Sequence, residues 1–225
     1  ELSRLSEHIP DGVTTRRLLE ISGKKRVHLV AGIAESAADG FYNSALLVSP
    51  DRSFKVYRKA HLFREEKSFF RAGDTPFEVH QIGGANVGTI ICWDWIYPES
   101  IRVLSLKGAQ IICQPANLVL PYCQDAMVTR AIENRVFIVT ANRTGEEARG
   151  GKQLKFTGRS QIVSPKGEIL TRAGEDGDEV QVVDIDPEAA SDKYATDLNN
   201  LFEDRRVELY REICVRQRSF ERKKP

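Results

Sequence analysis

The chain has almost no net charge. It carries 33 Lys and Arg against 32 Asp and Glu in 225 residues, which leaves no global field for nucleic acid or an anionic membrane. No apolar run is long enough to span a bilayer. Four cysteines (Cys92, Cys113, Cys123, Cys214) form no CxxC pair, and the four histidines (His8, His28, His61, His80) are scattered. A zinc site is therefore not expected, nor any other metal or cofactor. Neither GxGxxG nor GxxxxGK[ST] follows a strand, so the nucleotide-binding signatures are missing too. There is no internal repeat and no low-complexity linker. Residues 1–225 read as one domain, with a C-terminal tail over about 211–225. No signal peptide is seen, and the chain opens on Glu1 rather than Met. Unpaired thiols in a chain of this size suit a reducing compartment, and the expected location is cytoplasmic.

What is present is the composition of a globular protein, 41% hydrophobic and 29% charged. Thr14 and Thr15 can cap a short helix carrying Leu18, Leu19 and Ile21, with Gly23 as its stop. Strands are expected over 26–34, 41–49, 54–59, 77–82, 86–92, 109–114 and 136–141. Helices are expected from Pro98 to about Lys107 and from Asp125 to Arg135, the latter with Ala126, Met127, Ala131 and Ile132 on one side. Later strands are expected over 160–164, 168–171 and 180–185, then charged helical sequence from Glu203. The Gly-rich segment 145–151 reads as an exposed loop. Apolar strands alternating with helices argue for a layered α/β domain with a covered sheet.

Cys92 ends the apolar run Asn86-Val-Gly-Thr-Ile-Ile-Cys92-Trp-Asp-Trp-Ile-Tyr-Pro98-Glu99. Taken alone, a free cysteine is most often a small core residue. At a strand-to-helix turn it sits near backbone N–H groups and a helix N-terminus, which lower a thiol's pKa and expose its nucleophilic form. On that reading Cys92 outpaces Cys113, Cys123 and Cys214 in alkylation. A second segment is Tyr57-Arg-Lys59-Ala-His61-Leu-Phe63-Arg-Glu-Glu66. Lys59 after an apolar strand is either a solvated strand-end lysine or one drawn inward. In the second case it needs an anionic partner, for which Glu66 is a candidate, though a lone glutamate is usually a surface residue.

With these segments the chain resembles the nitrilase superfamily of carbon–nitrogen hydrolases. Tyr57-Arg58-Lys59 with His61-Leu62-Phe63 matches the family's lysine motif. Ile91-Cys92-Trp93-Asp94 with Pro98-Glu99 and Arg102 matches its cysteine motif. Tyr42-Asn43-Ser44, Pro115-Ala116-Asn117, Arg130-Ala131-Ile132-Glu133-Asn134 and Asp204-Arg205-Arg206 fit the same order, from about Ile9 to Tyr210. The resemblance implies an α-β-β-α sandwich and a Glu-Lys-Cys triad acting on a small amide or nitrile through a thioester. It also implies a homodimer stacked through helices near the cysteine turn. Cys92 would be the nucleophile, with Lys59 and the N–H of Trp93 as oxyanion donors, each typically worth about 2.7–4 kcal/mol. Glu66 resembles the additional glutamate beside the triad. Asn117 and Tyr122, in the segment Asn117-Leu-Val-Leu-Pro-Tyr122, resemble the pocket rim.

The family's general-base glutamate is not found. Glu1 and Glu7 do not follow an apolar strand, and the first strand-helix-strand unit, roughly 30 or more residues, looks to be missing. The expectation is an N-terminally shortened version of a complete enzyme. Amidase activity is expected first. A nitrilase is one alternative, and an inactive truncated or scaffold protein another. Members that take carboxylate-bearing substrates often carry Arg soon after the cysteine. Here Asp94, Trp95, Ile96 and Tyr97 stand there, pointing to a neutral or apolar acyl portion, although the aromatic residues read equally well as packing at the turn.

Overall fold

A computed structural model describes residues 2–149 and 151–215. Its contacts divide the chain into two units, residues 1–192 and 193–225. The first opens with helix α1 (Leu2–Leu5) and helix α2 (Val13–Lys25). Three strands follow, β1 (Leu29–Ala37), β2 (Gly40–Val48) and β3 (Phe54–Arg58), forming an antiparallel sheet in the order β1-β2-β3. A short helix α3 (Glu66–Phe69) leads to the hairpin of β4 (Val79–Ile82) and β5 (Ala85–Thr89). Gly83 and Gly84 close that hairpin with positive φ, +57° and +88°, which glycine adopts without steric penalty.

The chain continues through a 3₁₀ turn at Cys92–Ile96 into α4 (Pro98–Leu106), β6 (Ile111–Ala116), α5 (Cys123–Asn134) and β7 (Phe137–Asn142). An antiparallel arm, β8 (Glu146–Arg149) with β9 (Lys152–Lys155), precedes β10 (Gln161–Val163) and β11 (Ile169–Arg172). The larger sheet runs β11-β10-β7-β6-β5-β4, and its β5-β6-β7 core is parallel. In the second unit β12 (Tyr194–Thr196) pairs with β13 (Asn199–Asn200).

Helix α2 lies on β1 and β2, β1 meets β6 of the larger sheet, and α5 covers β7 and β10. The first unit is thus the expected α-β-β-α sandwich. Its main core fills the space between the larger sheet and α4 and α5, where Ile90, Trp95, Ile101, Leu104, Ile112, Met127 and Ile138 are buried. A second cluster, Leu47, Ala85 and Val87, lies between the sheets. Because β2 is covered on both faces, Leu46, Leu47 and Val48 are all buried in succession, as a doubly covered strand requires.

Several expectations are corrected. Gly23 does not stop α2, which runs on to Lys25; Arg26 makes the left-handed cap at φ +56°. Ile132 is exposed rather than packed with Met127 and Ala131. Residues 180–185 form no strand: Val180 and Val182 are exposed and have no ladder partner. Most of segment 145–151 belongs to the β8–β9 arm, not to a loop. From Glu203 the described residues hold two short 3₁₀ turns, Val207–Leu209 and Arg211–Cys214, in place of a helix. Most of the tail expected from about 211 lies outside the described residues.

Candidate functional site

Strand β5 carries the backbone toward Cys92, and the strand conformation stops there. Ile91 is extended, while Cys92 has φ +43°. A non-glycine residue in this region costs about 1–3 kcal/mol and persists only where its surroundings hold it. Two buried side chains hold it here. Asp94 accepts the N–H of Ile91 at 2.9 Å. Gln114, from β6, donates its Nε2 to the carbonyl of Cys92 at 3.0 Å and accepts the Thr140 hydroxyl at 2.8 Å.

Asp94 does more than shape the turn. Its carboxylate also accepts the Tyr57 hydroxyl at 2.7 Å and the His61 backbone N–H at 3.0 Å, and it faces His61 Nδ1 at 2.8 Å. Burial and the neighbouring carboxylate raise the Tyr57 phenol well above its ordinary range, so it stays a donor. The end of β3 and the loop after it are thereby fastened to the cysteine turn.

Lys59 follows β3, and its side chain is fully buried. Its Nζ meets Glu66 Oε2 at 2.6 Å, and Glu66 is 26% exposed. The same Glu66 oxygen accepts the N–H of Phe63 at 2.7 Å, and its other oxygen accepts Asn43 Nδ2 at 3.1 Å. Gly73 packs on this strand end: a Cβ there would lie 2.1 Å from the Arg58 carbonyl oxygen. Only glycine allows that approach.

A pocket of about 460 Å³ collects these groups. Cys92, Glu66, Asn43 and Asn117 line it with Phe63, Phe70, Ile33, Ile91, Ala116 and Arg143. Beside it, Phe63, Trp93, Trp95, Leu118, Val119 and Leu120 form a small apolar recess that also reaches Cys92 and Asn117. The structure therefore brings Cys92, Lys59, Glu66, Trp93 and Asn117 together. It does not bring Tyr122, which is 63% exposed at the N-cap of α5 and lines neither space. Of the residues after the cysteine, Asp94 is sequestered and Trp95 borders the recess, while Ile96 and Tyr97 face outward. Asn43 and Gln114 were not singled out as site residues; the matched motif Tyr42-Asn43-Ser44 was the available signal for the first. Among the described residues no group of three or more His, Cys, Asp or Glu gathers as a metal site, and no helix is long and apolar enough to cross a membrane.

The expected depression of the Cys92 pKa is also corrected. Burial raises it above the ordinary thiol value, and this outweighs Lys59 and the backbone N–H groups of Asn117 and Trp93, which act the other way. The helix N-terminus is displaced, because the 3₁₀ turn separates Cys92 from α4.

The model of the carbon–nitrogen hydrolase family matches residues 2–194. The chain belongs to this family. A nitrilase of Pyrococcus abyssi (strain GE5 / Orsay) is 49% identical over 210 residues, covering 93% of this chain and 79% of its own. A carbon–nitrogen hydrolase from Helicobacter pylori G27 superposes with a TM-score of 0.79 at 27% identity, over 90% of this chain and 80% of that one. A mutant of the amidase from Nesterenkonia sp. AN1, solved with acrylamide added at its active-site cysteine, gives 0.73 at 28% identity, over 88% and 74%. This carbon–nitrogen hydrolase thus has both nitrilase-named and amidase-named relatives.

Two outcomes are expected from the site. Replacing Asp94 by Leu leaves the Tyr57 hydroxyl and the Ile91 and His61 N–H groups without their acceptor. At about 1–3 kcal/mol for each buried orphan, urea unfolding should show a loss above about 3 kcal/mol; a loss under 1 kcal/mol contradicts the assignment. For the cysteines, burial pushes Cys113 and Cys123 up to about 12, whereas Cys214 is exposed. Iodoacetamide at neutral pH should label Cys214 and Cys92 ahead of the other two. The Cys92 rate should keep rising as pH climbs through the range of an ordinary thiol, because burial raises its pKa. A Cys92 rate already flat at pH 7 contradicts this.

Proposed function

We propose that this carbon–nitrogen hydrolase cleaves a small non-peptide amide to a carboxylic acid and ammonia through a thioester on Cys92. The convergence of Cys92 with the buried Lys59–Glu66 pair on one pocket carries the reading. The Cys92 thiolate adds to the carbonyl carbon, and the carbonyl electrons move onto oxygen. The Lys59 ammonium and the Trp93 N–H stabilise that oxyanion, being fixed before the charge develops. Collapse expels the nitrogen, which leaves as ammonia with the proton that the Cys92 thiol gave up. Water then splits the thioester and frees the thiol. Glu66 anchors the lysine, Asn117 offers its N–H beside the sulfur, and the apolar recess takes an uncharged stretch of the acyl portion. Tyr122 has no part in this reading.

The 49% identity to the Pyrococcus abyssi protein named a nitrilase favours a second reading, small nitriles. A third, a chain that binds without turning over, is favoured by a different observation. Among the described residues Glu66 is the only carboxylate lining the pocket, and it is already occupied by Lys59, Phe63 and Asn43. No second carboxylate there stands ready to take the thiol proton, and a positioned base contributes about 10²–10⁴-fold. We further propose that residues 1–225 act as one hydrolase domain in a reducing, cytoplasmic setting. The domain pairs with a second copy through the exposed Ile96, Tyr97, Val103 and Leu106; sedimentation as a monomer at micromolar concentration contradicts the pairing.

Ammonia release from matched amides and nitriles tests the function. Release from amides is expected to vanish in Cys92→Ala and to fall about 10²–10³-fold in Lys59→Met. Undiminished release by Cys92→Ala sinks the mechanism. Release from nitriles alone selects the second reading, and silence towards every substrate selects the third.

A further inference from the structure

Among the described residues Arg143 is the one cationic side chain lining the candidate pocket, and the Lys59 ammonium is paired with Glu66. Of its lining residues only Glu66 and Arg143 carry charge, and Glu66 is taken up by Lys59. The remaining lining is apolar, amide or backbone. Whatever charge a substrate brings beyond the reacting carbon, Arg143 is the residue in place to read it.

Its placement is rigid. Arg143 follows the last residue of β7; its backbone N–H donates to the Ala116 carbonyl at 3.1 Å, and its own carbonyl accepts the Gly158 N–H at 3.1 Å. Asn142, just before it, donates to the Gly158 carbonyl at 2.6 Å and accepts the Leu118 N–H at 2.8 Å. The guanidinium carbon lies 4.1 Å from the ring centroid of Phe156, which is itself buried. Stacking of this kind fixes the plane of the fork and leaves its N–H edge available for a planar anion. Its ion-pair partner is Glu147 at 3.0 Å, with the side chains 44% and 30% exposed. Exposed pairs of this sort are weak, so an incoming carboxylate meets little competition. A carboxylate also matches the guanidinium fork in two parallel hydrogen bonds, which a neutral amide cannot do.

We infer that Arg143 is a specificity residue that binds a carboxylate on the substrate, so that the preferred amide is anionic at the end remote from the scissile bond. This rests on the proposed hydrolysis at Cys92. It departs from the expectation of a neutral acyl portion: ammonia is the leaving group, so the carboxylate belongs to the acyl portion, and only the stretch at the apolar recess is uncharged.

The test needs no turnover. N-(iodoacetyl)-β-alanine and its primary amide have the same length and differ only in charge. Their rates of Cys92 alkylation, each normalised to the exposed Cys214 in the same sample, give a carboxylate-to-amide ratio. The wild-type ratio should exceed one by about tenfold, in line with a charged hydrogen bond. It should fall to near one in Arg143→Gln and stay between the two in Arg143→Lys. Glu147→Gln should keep the wild-type ratio or raise it. Equal ratios in wild type and Arg143→Gln overturn the inference. So does a Glu147→Gln ratio that collapses with Arg143→Gln, because the β8–β9 arm rather than the guanidinium would then set the preference. Failure of the hydrolase reading shows separately, as absent ammonia release, while the labelling ratio still reports on Arg143.

Discussion

The buried carboxylate of Asp94 is the interaction on which the rest of the site depends. One side chain accepts hydrogen bonds from the small sheet through Tyr57, from the following loop through His61, and from the cysteine turn through Ile91. Hydrogen bonds to a charged group are worth about 1.5–3 kcal/mol each. They act against the cost of about 1–3 kcal/mol of holding Cys92 at positive φ. Lys59 lies two residues after Tyr57 and two before His61, so both flanks of the lysine are tied to the turn that presents the sulfur. The relative position of Lys59 and Cys92 is therefore set by covalent neighbours of an anchored network, not by side-chain flexibility.

The Lys59–Glu66 pair adds a second constraint. A fully buried ammonium is tolerable only beside an anion, and Glu66 is kept in place by Phe63 and Asn43. The pair, with Asn117 and Trp93, gives the pocket a cluster of donors near a thiol whose pKa burial raises. Such a site disfavours the thiolate before a substrate arrives. Its stabilising power is spent on charge that develops during reaction, which is where pre-aimed donors act most strongly.

Much of this was legible in the sequence. The Gly83-Gly84 turn, the apolar strand before Cys92, and Pro98 at the start of α4 are local signals, and the structure keeps them. The inward turn of Lys59 was suggested by the apolar residues on either side of it. What escaped notice depends on partners distant in the chain. Asp94 among aromatics reads as a pocket-facing charge until Tyr57, 37 residues away, is seen to cap it. The sign of the Cys92 shift depends on burial, which no motif encodes. Residues 180–185 have strand propensity without a pairing neighbour, and propensity alone does not make a ladder. Segment 145–151 fails in the opposite sense: its glycines suggested a loop, but the residues on both sides pair across them.

The central claim, that Cys92 carries the acyl group, is tested most directly by trapping it. The protein is incubated with a small amide, quenched in acid, digested and mapped by mass spectrometry. The account predicts an acyl increment on the peptide containing Cys92, removed by hydroxylamine and missing in Cys92→Ala. Ammonia release with the acyl group on Cys214, or with no acyl-cysteine at all, would contradict it.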